Sequence, residues 1–175
     1  MIEFVKQKWD NGEAAKKKVA ENGRRDPEHE FGTNPCSEII LRPYQFCNLT
    51  EVVIRATDEA KDLKRKVRLA SQLGTYQSTL TDIKYLRKIW RDNTEEERLL
   101  GVSLTGIMDN QLTIEADPKL LKSMREMAVE TNKDLAKKLK IPQSAATTCI
   151  KPSGTVSQLV DSASGIHTRH SDYYI

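Results

Sequence analysis

The side chains with reactive chemistry gather first in Asn34-Pro35-Cys36-Ser37-Glu38. An amide, a thiol and a carboxylate stand at i, i+2 and i+4, which projects all three to one side if the segment is extended. Together they would meet one small substrate with a hydrogen-bonding amide, a sulfur and a base. Pro35 stiffens the backbone ahead of the thiol. The same residues also suit a turn capped by Asn34 with an incidental cysteine. Cys47 follows just ahead of a β-branched run, near enough in sequence for two thiols to share a site. A third candidate is Lys151-Pro152-Ser153-Gly154-Thr155-Val156-Ser157. There Gly154 permits close backbone approach, and Ser153, Thr155 and Ser157 supply hydroxyls. A helix opening at this point would offer N–H groups to an anion such as phosphate. The segment lacks the Gly-Lys-Ser/Thr ending of a Walker A loop, and a turn with a cap is its plainer reading.

The other titratable groups form no recognisable set. The chain has 3 cysteines (Cys36, Cys47 and Cys149), with no Cys-x-x-Cys pair and no four tetrahedral ligands, so a structural zinc site is not expected. An odd count argues against a disulfide framework and leaves redox or radical chemistry open, beside the ordinary role of a small buried hydrophobe. His29, His167 and His170 show no metal-ligand pattern with nearby carboxylates and read as surface residues.

Positioning these groups requires elements, and the pattern supplies alternating ones. Glu38–Leu41 and Leu49–Ile54 read as short strands, separated by Arg42-Pro43-Tyr44. Thr57 predicts an N-cap for a helix whose apolar line is Leu63, Val67, Ala70 and Leu73, closed by Gly74. A second helical stretch runs from about Thr79 to Trp90, and Glu95–Arg98 forms a charged turn feeding a buried strand over Leu99–Leu104. The longest helix spans Pro118 to Leu139 with the stripe Leu121, Met124, Ala128, Thr131, Leu135 and Leu139; Pro142 follows its end. Ala145–Ile150 reads as one more strand. Strands alternating with helices predict an α/β fold built from βαβ units. Residues 1–30 form a polar, basic segment apart from this body, with a short helix around Glu13 to Asn22. Lys16-Lys17-Lys18 and Arg24-Arg25 lie there as a solvated face.

Composition narrows the classes. Lys and Arg total 28 against 25 Asp and Glu, a net charge of +3 that is too balanced for a dedicated nucleic-acid or membrane-surface protein. Aromatics at 6% leave no stacking platform among the basic clusters, so nucleic acid is not an expected partner. Apolar residues at 38% and charged residues at 30% describe a soluble chain short of core material. No window approaches a bilayer span, and the first residues lack an apolar signal region. The expectation is a cytoplasmic protein without membrane contact.

Taken together the motifs resemble one family. Asn34-Pro35-Cys36-Ser37-Glu38 followed by Phe46-Cys47-Asn48-Leu49 is similar to the active-site segment of the ribonucleotide reductase large chain, in its adenosylcobalamin-dependent (class II) branch. Gly74-Thr75-Tyr76-Gln77-Ser78-Thr79, Leu99–Gly106 and Pro152–Ser157 resemble later family segments in the family's order, so the resemblance covers about Phe31 to Ile175. It implies a ten-stranded α/β barrel with a finger loop that carries a cysteine to its centre, residues 31–175 being part of that barrel. It also implies roles. Cys36 would be the thiyl radical site acting on the ribose 3′ carbon, Glu38 the general base on the 3′-hydroxyl and Asn34 a hydrogen-bond partner of the ribose hydroxyls. Cys47 would be one half of the reducing dithiol, its partner lying upstream of Met1. Pro152, Ser153, Gly154, Thr155, Val156 and Ser157 would hold substrate phosphates. Cys149 matches no role and reads as core.

The implied cofactor is adenosylcobalamin. The implied partners are a ribonucleoside di- or triphosphate, a thioredoxin-like or dithiol reductant, and complementing barrel segments, with the chain itself a central segment inactive alone. The competing reading is a non-catalytic nucleotide-binding or assembly fragment of the same barrel.

Overall fold

In the computed structural model, which describes residues 25–171, the two β-branched runs in the middle of the chain pair in parallel. They are preceded by a small antiparallel hairpin of β1 (Gly32–Thr33) and β2 (Ile40–Leu41). The parallel strands are β3 (Asn48–Val53) and β4 (Leu100–Thr105), in register from Asn48 opposite Leu100 to Val53 opposite Thr105. A parallel pair needs a long crossover, and this one contains two helices, α1 (Ala60–Gln77) and α2 (Lys88–Glu97). After β4 come a 3-10 turn (Ile107–Asp109), a one-turn α3 (Gln111–Ile114) and the long α4 (Pro118–Leu139). The chain then returns beside β4 on the side away from β3. The Leu100 N–H donates to the Ala146 carbonyl at 2.9 Å and the Cys149 N–H to the Val102 carbonyl at 3.2 Å. Thr148 thereby bridges Val102 in parallel, and the strand expected over Ala145–Ile150 is reduced to this one bridge. A short α5 (Thr155–Leu159) follows. The α/β reading holds.

Alternation along β3 and β4 divides the sheet into two faces. Val52, Ile54 and Val102 turn to one side and meet Leu63, Val67 and Ala70 of α1 and Met124 and Ala128 of α4 in the core. Gly74 does not close α1 but lies inside it, buried. Its missing side chain admits Leu100, whose Cδ2 would stand only 3.4 Å from a Cβ at that position. The helix also starts later than Thr57. Asp58 accepts a hydrogen bond from the Arg55 N–H at 2.8 Å, so residues 55–58 form a turn, and Glu59 with Asp62 makes the capping box.

The second helical stretch is displaced towards the C-terminus. Thr81 and Ile83 make tight backbone turns and Tyr85 takes φ 69°, so α2 begins only at Lys88 and ends at Arg98 in the left-handed region. The long helix has the bounds expected from its pattern, but its buried line is Met124, Ala128, Asn132 and Ala136, with Leu121 exposed. Asn132 is tolerated in that line because every hydrogen-bonding group it has in use is met. It donates to Thr75 Oγ1 and Ser144 Oγ, both at 2.9 Å, and accepts from the Ser144 N–H at 3.0 Å.

Arg25 corrects the expectation of a solvated basic face. It is buried, and its guanidinium donates to both oxygens of Glu97, at 3.0 and 2.8 Å, and to the Ile40 carbonyl at 3.0 Å. The buried Gln45 amide completes the network at Glu97. Lys16 to Lys18, Arg24 and the helix expected around Glu13 to Asn22 lie outside the described residues.

Breaking one half of this buried pair strands the other charge. Glu97→Ala is expected to cost about 3 kcal/mol of stability, read from the shift of the urea midpoint at constant m-value. A shift equivalent to less than about 0.5 kcal/mol, as for an ordinary surface substitution, would show that Arg25 does not depend on Glu97.

Candidate active site

The thiol-bearing segment is the loop of the β1–β2 hairpin, and its own backbone shapes it. The Asn34 N–H donates to the Ile39 carbonyl at 3.2 Å, and the Asn34 side-chain carbonyl accepts from the Ile39 N–H at 3.0 Å. The Asn34 backbone carbonyl accepts from the Ser37 N–H at 2.9 Å, and Ser37 takes φ 62°. Residues 34–38 therefore form a turn, and the expected extended row with Asn34, Cys36 and Glu38 on one side is not formed. Closing the turn uses the Asn34 amide oxygen, leaves Cys36 exposed at the tip and sends Glu38 inward. Both Glu38 carboxylate oxygens are shut off from solvent with no hydrogen-bond partner among the described residues. Buried polar atoms are seldom left this way, which singles out Glu38 as a candidate functional group.

Glu38 faces the side of the sheet opposite the helices. A Cβ built on Gly101 would stand 3.0 Å from Cys149 Sγ and would collide with Leu49 Cδ2, so Gly101 makes room for both side chains on that face. The Cys47 thiol is pushed up to about 12, first by burial, then by the neighbouring Cys149 and Glu38 charges, against a smaller pull from Arg25. Cys149 is pushed up to about 11 by burial and by Glu38, opposed by Lys151 and a hydrogen bond with Ser103, with Glu51 adding to the rise. Both sulfurs are thus held as thiols at neutral pH. Cys149 corrects its reading as plain core: it is only partly buried and shares the electrostatic field of Glu38 and Cys47. The two thiols are separate, since β4 lies between β3 and the 146–149 segment. Second-neighbour strands are about 10 Å apart, beyond the span of a disulfide.

The Pro152–Ser157 loop lies beyond Cys149 in the chain. Lys151 N–H donates to Ser103 Oγ at 2.9 Å, tying the start of the loop to β4. Ser153 is buried, and its hydroxyl donates to Glu51 Oε2 of β3 at 2.9 Å. Gly154 turns the chain at φ 56° and ψ −126°, a conformation that strains other residues, and α5 starts at Thr155. The Ser157 hydroxyl donates back to the Gly154 carbonyl at 2.8 Å. The exposed rim is therefore Gly154, Thr155 and Val156, while Pro152 is exposed at the entry.

Gly154 and Ser157 also line an open cleft of about 1000 Å³ with His167, Arg169 and His170. Arg169 is held there by Asp109, at 3.0 Å, and Asp161, at 2.7 Å. Glu51 and the Arg169 clamp were missed in the sequence. Glu51 had one available signal, a lone carboxylate inside the apolar run Leu49–Ile54.

Comparison with known proteins bears directly on this arrangement. No family model matches the chain. An adenosylcobalamin-dependent ribonucleoside-triphosphate reductase of Lactobacillus gasseri is 30% identical over 172 residues, covering 82% of this chain and 23% of that protein. A protein of the same name from Lacticaseibacillus paracasei is 28% identical over 183 residues, covering 89% of this chain and 24% of the relative. Over most of its length the chain is similar to proteins named adenosylcobalamin-dependent ribonucleoside-triphosphate reductase. It spans about a quarter of the length of the curated relatives it matches. A crystal structure of a B12-dependent, class II ribonucleotide reductase superposes with a TM-score of 0.65 at 24% identity, over 83% of this chain and 23% of that one, so the fold is shared with part of that enzyme. Among the described residues no helix is long and apolar enough to cross a membrane.

The thiol environments predict an order of alkylation. At pH 8 iodoacetamide should label Cys36 first, with Cys47 and Cys149 protected in the folded chain. Cys47 should gain reactivity only as pH rises towards about 12. Peptide mapping of labelled protein reads the order, and equal labelling of all three cysteines at pH 8 would contradict these environments.

Proposed function

We propose that this chain is the thiol-bearing part of a catalytic barrel that reduces ribonucleotides to deoxyribonucleotides by a thiyl-radical mechanism. The observation that carries the reading is the Glu38 carboxylate, buried and unpartnered, two residues from an exposed thiol and within the field of two protonated ones. The Asn34–Ile39 turn is read as the tip of a finger loop. β3, β4 and the 146–149 segment are read as consecutive strands of a ten-stranded barrel formed by residues 31–175 together with complementing segments, with residues 1–30 as a basic extension.

Within that reading Cys36 removes hydrogen from the ribose 3′ carbon, since S–H and activated C–H bonds are close enough in strength for transfer in both directions. Glu38 takes the proton of the 3′-hydroxyl, which eases departure of the 2′-hydroxyl as water. Asn34 orients the ribose hydroxyls through its amide N–H groups, its side-chain oxygen being engaged by Ile39. Cys47 gives up its hydrogen and, with a second thiol from a complementing segment, closes a disulfide. One substrate and one dithiol yield one deoxynucleotide, one disulfide and one water, and a thioredoxin-like or dithiol reductant restores the pair. The Pro152–Ser157 loop holds the substrate phosphates, and the names of the relatives favour a triphosphate over a diphosphate.

Adenosylcobalamin fits this donor set in one respect: Cys36 is the exposed thiol, the one a bulky group outside the sheet can approach. When bound, that cofactor supplies one-electron chemistry.

In enzyme reconstituted with its complementing barrel segments, Cys36→Ser should abolish deoxynucleotide formation while leaving nucleotide affinity within about twofold, since serine keeps the shape but its O–H bond is too strong to exchange. Cys47→Ser should stop multiple turnover yet retain isotope exchange at the 3′ carbon. Exchange lost equally in both variants would remove the separate role of Cys47. The 175-residue chain alone should show no turnover with adenosylcobalamin and dithiol, because a partial barrel leaves sheet edges and site walls open. Ribonucleotide reduction by the chain alone would overturn the need for complementation.

A further inference from the structure

Ser153 has the chemistry of a phosphate ligand, but its place in the fold does not suit that role. Its side chain is buried, 6% of the residue being accessible, and its hydroxyl donates to Glu51 Oε2 at 2.9 Å across 102 residues of sequence separation. A carboxylate can only accept, so the single hydroxyl proton of Ser153 is committed to Glu51 and is not available to a phosphate oxygen, which also only accepts. Ser157 is fully buried with its proton on the Gly154 carbonyl. Two of the three hydroxyls in the loop therefore point into the protein, and the exposed groups are those of Gly154, Thr155 and Val156.

We propose that Glu51 is a positioning residue for the Pro152–Ser157 loop: it clamps Ser153 from β3, and the clamp sets the loop so that its rim, not Ser153, meets the phosphates. This deepens the phosphate-loop reading given above and rests on it. The placement explains why a carboxylate stands in the middle of a β-branched strand. Gly154 sits at φ 56° in open space, and Gly165 packs behind the start of the loop, where a Cβ would stand 2.9 Å from the Lys151 carbonyl. The charge-assisted hydrogen bond from Glu51 anchors the residue just ahead of this open glycine to a strand. The Lys151 N–H on Ser103 of β4 fixes the start of the same segment, so β3 and β4 each hold one point of it.

The test uses the 175-residue chain and the variants Glu51→Ala, Glu51→Gln, Ser153→Ala and the double Glu51→Ala/Ser153→Ala. Hydrogen–deuterium exchange of the peptide covering 152–157, without ligand, reads the clamp directly. Each alanine variant should exchange about tenfold faster than wild type, the loss of one charge-assisted hydrogen bond. The double should be no faster than either single, because both remove the same bond. Glu51→Gln, whose amide oxygen still accepts, should stay within about threefold of wild type.

Affinity for ATP, measured by calorimetry, should fall in the same order. Loop exchange unchanged in Ser153→Ala and in Glu51→Ala would overturn the inference. So would ATP affinity that rises in Glu51→Ala, since that is the result expected if the released Ser153 hydroxyl binds phosphate itself. Additive effects in the double would likewise count against a shared bond. Should Glu51→Ala not fold, Ser153→Ala and Glu51→Gln decide the matter by the same readouts. A wild-type chain with no ATP affinity would remove the phosphate-loop reading, and the exchange pattern would still judge Glu51 on its own.

Discussion

Parallel pairing of β3 with β4 is the constraint from which the rest of this structure follows. Strands that run the same way cannot be joined by a tight turn, so α1 and α2 must cross over one face of the sheet, and α4 must do the same before the 146–149 segment returns. Of these, α1 and α4 carry the apolar surface that takes up Val52, Ile54 and Val102. Each strand alternates, so the residues between them turn to the other face, where the helices cannot cover them. Glu51, Ser103 and Cys149 are thereby delivered to a common side without any local sequence relation among them.

The two faces differ in which polar groups they bury. Against the helices Ser71 donates to the Ala128 carbonyl at 2.7 Å and Asn132 joins α1, α4 and Ser144, while the Thr50 hydroxyl is buried without a partner among the described residues. On the other face Glu38 keeps both oxygens without partners, as does one oxygen of Glu51, while burial holds Cys47 and Cys149 protonated. Unmet hydrogen-bonding capacity costs stability, so it persists where function rewards it. The unmet carboxylate oxygens of Glu38 and Glu51, costlier to bury than a lone threonine hydroxyl, mark the candidate site.

Much of the scaffold was legible. The long helix has the bounds that Pro118, its periodic apolar residues and Pro142 impose, and the β-branched run at 49–54 is a strand to within a residue. Errors fall where a tertiary contact outweighs a local signal. Gly74 was read as a stop, but in the packed protein it is a point of close approach to Leu100, and the helix continues to Gln77. Arg25 reads as solvated because charged side chains usually are, whereas in the fold Glu97, Gln45 and the Ile40 carbonyl offset its burial.

By itself the sequence determined the α/β class, the order of the elements and the identity of the reactive groups, because periodicity, prolines and residue chemistry are local properties. It also carried the family resemblance, since that rests on short motifs in a fixed order. Only the tertiary structure decided which way those groups point. The turn at Asn34–Ser37 parts Cys36 from Glu38, the register of β3 on β4 sets Glu51 under Ser153, and the return of residues 146–149 brings Cys149 into the field of Glu38. Each of these depends on contacts between residues far apart in the chain, whose energies no window of sequence contains.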